Sequence, residues 1–255
     1  MSSMRAEAPR YLTYAAALVV GATLWEVVGH IADPIFLVPL SETFVRLGEI
    51  TVSGELISAL IASLSVFFTG LSAGIIIGAP FGLFLARVRF LREGAEWYVT
   101  ALYATPMVAL IPFLLAIFGF GFLPKAIVVF LFTVFPVIIN VFEGARSVDQ
   151  KILEVARSFR ASEADIWRDV VLPYTLPFAM TGVRLAIARG LVGMIAAEFF
   201  LAVTGLGELI LVASRRFDTA AVFAAILVVC ALGVLFMSIG QRLEDRFAAW
   251  RGTSS

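Results

Sequence analysis

The chain has 255 residues, of which 61% are hydrophobic and 15% are charged, and its formal net charge is zero. About a quarter of the residues of a soluble domain are charged, so this composition excludes an ordinary soluble protein and indicates a membrane protein; the zero net charge gives no argument for a nucleic-acid partner. One cysteine, Cys230, and one histidine, His30, exclude an internal disulfide and a four-ligand zinc site, so we expect no metal site.

The hydropathy pattern predicts an all-α polytopic membrane protein, with six transmembrane helices in a single domain over residues 1–255. A transmembrane helix needs about 20 mostly apolar residues. Such stretches occur at 11–31, 59–86, 97–118, 126–142, 177–203 and 219–241. The first stretch follows Arg5 and Arg10, and no A-x-A cleavage site comes after it. We therefore expect a retained anchor rather than a signal peptide.

Three segments interrupt the apolar pattern. Residues 32–58 carry charges and prolines, and we expect them outside the membrane, on the extracytoplasmic side, with a short amphipathic helix starting at Leu40. The third span contains Pro106 and Pro112, which predict a kinked helix packed against protein rather than lipid. A tight turn is predicted at 119–124, before the short fourth span.

The second span has a glycine at every fourth position of its central part. These residues are Gly70, Gly74, Gly78 and Gly82. Small residues at this spacing form a stripe on one helix face, which lets another helix approach closely in lipid. The stripe has two interpretations: it packs within the core of one chain, or it forms a contact between two copies. We favour the first.

An island of charge, residues 143–173, separates the fourth and fifth spans and is too charged to cross a bilayer. Its apolar residues at i, i+3, i+4 and i+7 predict one face of a helix. They are Ile152, Val155, Ala156 and Phe159. Ser162, three residues before Asp165, is typical of a helix N-terminus and predicts a second short helix that starts there. This helix should stop near Leu172 and Pro173, because proline lacks the N–H that a helix interior needs. Two short amphipathic helices joined by a turn predict a docking surface.

The fifth span contains three ionisable residues, Arg184, Arg189 and Glu198. Such residues are costly in a membrane and usually face a cavity or a partner. Arg189 and Glu198 are too far apart along one helix to pair with each other. Either each pairs with another helix or a second copy, or Arg189 helps an anionic substrate along a pathway. The candidate translocation residues are Arg189, Met194 and Glu198.

An even number of spans places both termini on the same side of the membrane as the charged island. Of the 19 Lys and Arg residues, 13 then lie on that side. Because cytoplasmic loops carry the excess of positive charge, this side is identified as the cytoplasm. We therefore predict a multi-pass membrane protein with both termini in the cytoplasm.

Four residues of the island match, in register, the pattern E-A-A, three residues, G, nine residues, I, one residue, L-P. They are Glu154, Ala156, Leu172 and Pro173. The pattern resembles the EAA loop of bacterial ABC-importer permeases, and over roughly residues 37–246 the chain resembles permeases of the sulfonate, taurine and nitrate type. Val155 and Val170 are mild departures from the pattern. Arg160 stands where the family has glycine, so either its turn is built differently or the arginine makes an extra contact to a partner.

The resemblance implies a type I ABC-importer permease fold, in which the island is a coupling helix that seats in a groove on a cytoplasmic ATPase. The ATPase-coupling candidates supply apolar contact, charge pairs and a helix cap. They are Ile152, Glu154, Val155, Ala156, Arg157, Phe159, Arg160, Ser162, Leu172 and Pro173. Glu154 and Arg157 would pair with the ATPase or brace the loop within its own chain. The implied partners are an ABC ATPase dimer, a second copy of the chain, a periplasmic or lipid-anchored solute-binding protein and the lipid bilayer. The implied location is the bacterial inner membrane.

ATP is expected on another polypeptide. The P-loop pattern needs a lysine directly after a glycine, whereas Lys125 and Lys151, the only lysines, follow Pro124 and Gln150. We therefore expect ATP and Mg²⁺ in the partner ATPase, no cofactor bound by this chain, and no enzymatic activity or catalytic residue of its own.

For the function, the resemblance implies import of a small anionic solute, such as a sulfonate, taurine, nitrate or a similar organic acid. The same permease type carrying a heterocyclic or aromatic nutrient is the alternative. An ion-gradient transporter would not need the docking loop. An intramembrane enzyme would need convergent polar groups such as two aspartates, and no predicted span has an aspartate in its interior.

Overall fold

The structure is a computed structural model that describes residues 4–88, 94, 101, 105–201 and 204–248, with side chains from Leu12 to Phe247. Every regular element in these ranges is a helix. In chain order they are α1 (Met4–Ile31), α2 (Leu40–Val52), α3 (Glu55–Arg87), a 3₁₀ turn (Met107–Leu110), α4 (Ile111–Phe118), α5 (Phe122–Arg146), α6 (Gln150–Ser158), α7 (Glu163–Ile166), a π-helical turn (Trp167–Val171), α8 (Leu172–Leu201), α9 (Leu206–Arg215) and α10 (Thr219–Ala248).

Four described helices are long and apolar enough to cross a membrane. They are Leu12–Ile31, Glu55–Arg87, Phe122–Arg146 and Thr219–Phe247. A fifth span results if Glu163–Leu201 and Leu206–Arg215, which meet at an angle of 47°, are taken together. The prediction of six spans is not confirmed. Of the predicted span 97–118, the apolar helical stretch Met107–Phe118 is too short to cross alone, and residues 97–100 and 102–104 lie outside the described residues.

Helix α5 lies between α3 and α8 and forms the centre of the bundle. A side chain at Gly70, Gly74 or Gly82 would collide with α5, and one at Gly78 would be tight; a Cβ at Gly82, for example, would lie 2.8 Å from the carbonyl oxygen of Ile138. Thr133 of α5 donates a hydrogen bond of 3.2 Å to the carbonyl oxygen of Gly70. The interpretation that the stripe packs within one chain is confirmed, and close backbone approach explains the spacing.

Helix α8 packs on an adjacent face of α5 by the same means. A Cβ at Gly190 would meet the methyl group of Thr133, and one at Gly193 would meet the ring of Phe132. Between the three helices lies a core of buried residues contributed by each of them. They are Val66, Phe67, Leu71, Val129, Val137, Val141, Ala186, Ile187, Leu191 and Met194.

The expectation that the second short helix stops near Leu172 and Pro173 is wrong. The chain is helical from Glu163 to Leu201 and passes through both Pro173 and Pro177. The π-helical turn Trp167–Val171 ends two residues before Pro173. A π turn shifts the bonding pattern from i+4 to i+5, so the carbonyl that the proline ring would strike is displaced and the helix continues.

Other boundaries differ by about one to two turns. Helix α5 starts at Phe122, so that Pro124 falls in the first helical turn, where its missing N–H costs nothing. The turn predicted at 119–124 is therefore confined to residues before Phe122; Gly119 has φ 70° and Gly121 has φ 139°. Helix α10 continues past the predicted end of the last span, to Ala248.

The two ends of the bundle carry different structures. One, the hairpin end, carries α6 and α7; the opposite, far end carries α2 and α9, which pack on α3 and α10. The helix predicted to start at Leu40 is confirmed as α2. At the far end, Arg46 of α2 forms an ion pair of 2.7 Å with Asp218, which follows α9. Hydrogen bonds to the carboxylates of Asp218 and Glu49 raise the pKa of the Arg46 guanidinium.

Candidate functional site

The charged hairpin, Asp149–Asp169, is built by local capping. The Asp149 carboxylate accepts a 2.9 Å hydrogen bond from the N–H of Lys151 and so caps α6. Ser162 and Asp165 form a reciprocal capping box: the hydroxyl of Ser162 accepts from the N–H of Asp165, and the Asp165 carboxylate accepts from the N–H of Ser162. The prediction that Ser162 caps the second helix is confirmed. Hydrogen bonds from Ser162 also lower the pKa of the Asp165 carboxyl.

Arg160 occupies the turn between the two arms of the hairpin, of which the first is α6 and the second begins at Glu163. Its backbone is left-handed, with φ 58°. Its N–H donates to the carbonyl of Arg157 at 2.9 Å, and the N–H of Ala161 donates to that of Ala156 at 3.2 Å. This pair of bonds is the Schellman arrangement, which usually has glycine at the left-handed position. The turn is therefore built in the conformation that glycine favours, and the first alternative for Arg160, a different turn, is wrong.

The outer face of α6 carries an exposed apolar stripe. Ile152 is 45% exposed, Val155 57% and Phe159 84%. Exposed apolar groups on a helix of otherwise charged composition indicate a contact surface. Ala156, which was expected on this face, is half-buried against the inner side of the hairpin with Ile166, where its small side chain lets the two arms close.

The charges of the hairpin divide between its own structure and its surface. Arg157 pairs with Glu163 across the turn at 3.3 Å, and both side chains are more than half exposed. Exposed pairs of this kind contribute at most about 1 kcal/mol. Glu154, Leu172 and Pro173 are exposed as well. Thus Arg157 braces the loop within its chain, and Glu154 lies on the outer surface beside the apolar stripe.

The second arm attaches the hairpin to the bundle. Ile166 is buried against Val148 and Val171. The guanidinium of Arg87, at the end of α3, lies 5.4 Å from the ring centre of Trp167. Such cation–π contacts contribute about 0.5–1 kcal/mol at exposed sites. Because the second arm is also continuous with α8, a force on the hairpin acts directly on that helix.

A cavity of about 240 Å³ opens beside the middle of α5 and α8. Its described lining consists of Thr105, Pro106, Met107, Val108, Leu131, Phe132, Phe135, Pro136 and Arg189. Among these residues Arg189 alone is charged. The other two translocation candidates lie elsewhere: Met194 is fully buried in the core, and Glu198 is enclosed near the far end. The structure does not bring the three together in one protomer.

Glu198 takes part in a buried network. One carboxylate oxygen accepts from the hydroxyl of Ser63 at 2.7 Å, and the other accepts from the N–H of Gly207 at 2.8 Å. Arg184 pairs with Glu244 of α10 at 2.8 Å. For Glu198, the expectation that it pairs with another helix or a second copy is therefore confirmed within the chain. Arg184, to which the sequence analysis assigned no partner, pairs with α10.

Three polar residues of these networks were missed by the sequence analysis: Ser63, Lys125 and Glu244. The buried Lys125 donates to the carbonyl oxygen of Thr204 at 2.6 Å. The sequence did contain a signal for these three residues, because a polar or charged residue within or beside an apolar span needs a partner. It does not identify the partner, since Ser63 and Glu198 are 135 positions apart in sequence.

Comparisons with known proteins agree with this architecture. Residues 74–249 match a family model described as "Binding-protein-dependent transport system inner membrane component". The putative aliphatic sulfonates transport permease SsuC of Bacillus subtilis is 30% identical over 236 residues, which cover 90% of this chain and 84% of that protein. The taurine transport permease TauC of Escherichia coli is 29% identical over 92% of this chain and 88% of its own.

Two further similarities bear on substrate range and fold. The formylaminopyrimidine transport permease ThiX of Halalkalibacterium halodurans is 28% identical over 89% of this chain and 91% of its own. In solved structures, a chain of the inward-facing MetNI methionine ABC transporter superposes with a TM-score of 0.61 at 19% identity, over 75% of this chain and 95% of that one. At that identity the likeness concerns the fold.

Proposed function

The chain belongs to the binding-protein-dependent transport system inner membrane components, and we propose that it moves a small organic anion and is driven through the charged hairpin. It is a permease subunit of an ABC importer and not the ATPase. Membership in this family implies an ATPase and a binding protein as partners.

The exposed stripe on α6 carries the coupling proposal. Ile152, Val155 and Phe159 form an apolar surface on a hairpin whose turn and caps are fixed by its own hydrogen bonds. A rigid apolar ridge flanked by charges fits a groove on a soluble partner. In our proposal this partner is the ATPase, Glu154 pairs with a cation at the rim of the groove, and Phe159 is the anchor because it is the most exposed of the three.

The test is copurification of ABC ATPase subunits, including those of sulfonate importers, with the chain in detergent. Val155→Asp should abolish copurification, because burying an unpaired carboxylate in an apolar contact costs several kcal/mol. Val52→Asp is the matched control, since Val52 is an exposed valine at the end of a short helix at the far end. Retention of the ATPase by Val155→Asp, or its equal loss from Val52→Asp, would contradict the proposal.

The topology follows from the same proposal. If the ATPase is cytoplasmic, the hairpin end is the cytoplasmic end, both termini are cytoplasmic, and the far end meets the binding protein. We further propose that two copies form a homodimer, each seated on one ATPase subunit. Closure of the ATPase dimer on ATP would draw the two hairpins together and tilt the spans between inward-facing and outward-facing states.

The substrate proposal rests on the cavity beside α5 and α8. Arg189 supplies a positive charge, and Phe132 and Phe135 supply apolar walls. This combination suits an anion with an organic body, such as an alkanesulfonate or taurine, better than nitrate. A heterocyclic nutrient is the second candidate, because the match to ThiX covers most of both chains and the same phenylalanines can stack on a ring.

Uptake in cells that lack their own sulfonate importers separates these candidates. With taurine and butanesulfonate as probes, Arg189→Gln should lower uptake about ten- to hundredfold, since a hydrogen bond to a charged group contributes about 1.5–3 kcal/mol. Arg189→Lys keeps the charge and should retain part of the activity. Unchanged anion uptake in Arg189→Gln would contradict the anion pathway, and uptake of a formylaminopyrimidine but neither sulfonate would favour the second candidate.

A further inference from the structure

Helix α9, at the far end, is capped by residues of two other helices. The first N–H groups of a helix have no partner within it and need acceptors from outside. Gly205 stands at the N-cap of α9 and has no side chain to offer. Instead, the N–H of Leu206 donates to the hydroxyl of Ser63 on α3 at 2.8 Å, and the N–H of Gly207 donates to the carboxylate of Glu198 on α8 at 2.8 Å.

The two acceptors are joined to each other. The hydroxyl of Ser63 donates to the second carboxylate oxygen of Glu198 at 2.7 Å, and both side chains are fully buried. Each carboxylate oxygen therefore has a donor, and the Ser63 hydroxyl both donates and accepts. Hydrogen bonds to a carboxylate in a water-poor site are about twice as strong as neutral ones.

The fit between α9 and Glu198 leaves no room for an intervening group. A Cβ at Gly207 would lie 2.6 Å from the Cβ of Glu198, and one at Gly205 would overlap the carboxylate itself. On the other side of the N-terminus of α9, Lys125 of α5 donates to the carbonyl and hydroxyl oxygens of Thr204. The start of α9 is thus held by α3, α5 and α8 together.

From these contacts we infer that Glu198 is a positioning residue that locks α9 to α8, so that the far-end face follows the hairpin. Helix α8 is the continuation of the second arm of the hairpin over the 39 residues Glu163–Leu201, a length of roughly 58 Å at helical rise. A helix transmits displacement along its axis, whereas the change of direction between α8 and α9 would lose it without the Glu198 cap. The inference rests on the proposed coupling function of the hairpin.

The cap itself can be measured without any partner, by hydrogen–deuterium exchange of the purified full chain in lipid nanodiscs. Glu198→Ala should speed exchange of the Leu206 and Gly207 amides about tenfold or more, because a buried charge-assisted hydrogen bond is lost. Glu198→Gln keeps a carbonyl acceptor for Gly207 and should stay closer to the wild type. Glu208→Ala, in the first turn of α9, is the matched control for removal of an acid.

Ser63→Ala is a milder version of the same test, should Glu198→Ala fail to fold. It removes the acceptor of the Leu206 N–H and should speed exchange of that amide more than that of residues in α5. Its matched control is Ser65→Ala, which removes a serine hydroxyl from the same helix. The hydroxyl of Ser65 donates to the carbonyl of Ala62. Unchanged exchange at Leu206 and Gly207 in both Glu198→Ala and Ser63→Ala would overturn the cap.

Transmission is tested in the complex with the ATPase, reconstituted in proteoliposomes. In a Cys230→Ala background, Ser214→Cys places a thiol at the exposed end of α9. ATP with vanadate should change its labelling rate by an impermeant maleimide severalfold. Glu198→Ala should remove that change while ATPase assembly and hydrolysis persist, and Glu198→Gln should restore part of it.

The outcomes separate the inference from the proposed function. A labelling change that persists unaltered in Glu198→Ala would overturn the role of Glu198 in transmission, although the hairpin would still couple. Failure of the parent chain to bind any ATPase would instead refute the coupling function and the transmission with it. In that case, the exchange measurement would still decide whether Glu198 caps α9.

Discussion

Replacement of Arg160 by glycine should stabilise the hairpin turn rather than damage it. Arg160 has φ 58°, a left-handed backbone that L side chains disfavour because the Cβ crowds the following carbonyl. The two turn bonds, from the N–H groups of Arg160 and Ala161, are made by the backbone alone. Glycine can keep both bonds and removes the Cβ that causes the strain.

The expected gain is small and can be worked out from two opposing effects. A side chain in the left-handed region costs about 1–2 kcal/mol, and glycine costs about 0.5–1 kcal/mol through the greater freedom of the unfolded chain. The net stabilisation is therefore about 0.5–1 kcal/mol, which slows local opening about two- to fivefold. Arg157→Gly is the contrasting variant, because Arg157 lies inside α6, where glycine costs about 1 kcal/mol. The variant also loses the pair with Glu163, so opening should be at least about fivefold faster.

The assay is hydrogen exchange of the Ala161 amide, whose 3.2 Å bond to Ala156 closes the turn. Exchange should be slower in Arg160→Gly and faster in Arg157→Gly. Copurification of the ATPase should survive in Arg160→Gly. Faster exchange in Arg160→Gly would refute the strain argument, and loss of the ATPase with the turn intact would show that the arginine side chain itself contacts the partner.

Two other predictions follow from packing and capping. Gly74→Val should destabilise the contact of α3 with α5 by about 1–3 kcal/mol or more, because its Cβ meets Thr133. Gly233→Val, inside α10 with open space around the added Cβ, should be neutral or slightly stabilising, and thermal inactivation in detergent compares the two. Ser162→Ala should cost the hairpin about 1 kcal/mol, seen as faster exchange at the start of α7. Ser162 also lowers the pKa of the Asp165 carboxyl in the folded hairpin, so the bonds to that carboxylate stabilise the hairpin fully above the ordinary carboxyl range and are lost as pH falls below about 4, which exchange at several pH values detects.

Local patterns in the sequence predicted the parts of the fold that depend on local physics. The glycine stripe of α3 follows from spacing alone, and Leu40 marks the start of α2. The capping role of Ser162 follows from its distance to Asp165. Each of these features is decided by residues within a few turns of one another. For the same reason the two arms of the hairpin could be placed before the structure was known.

The parts that were missed depend on tertiary context. The helix through Pro173 needs the π turn before it, and no local signal distinguishes a proline that ends a helix from one that follows such a turn. The six-span count depended on residues 97–118, of which only a short helical part is described. The partners of Arg184 and Glu198 come from α10, α3 and α9, and periodicity within one helix carries no information about them.

The need for an acidic residue within the fifth span can nevertheless be argued from Gly205. A serine or aspartate at that position would be the usual cap for α9. It is excluded twice, because its Cβ would overlap Glu198 and because φ there is 114°, outside the range that a capping side chain adopts. The acceptors must therefore come from other helices, and a carboxylate can serve the amide of Gly207 and the hydroxyl of Ser63 at once. Glu198, on the helix that precedes the bend, thus has a hydrogen-bond donor from the chain for each carboxylate oxygen, and its presence in the fifth span is explained without any contact to a substrate.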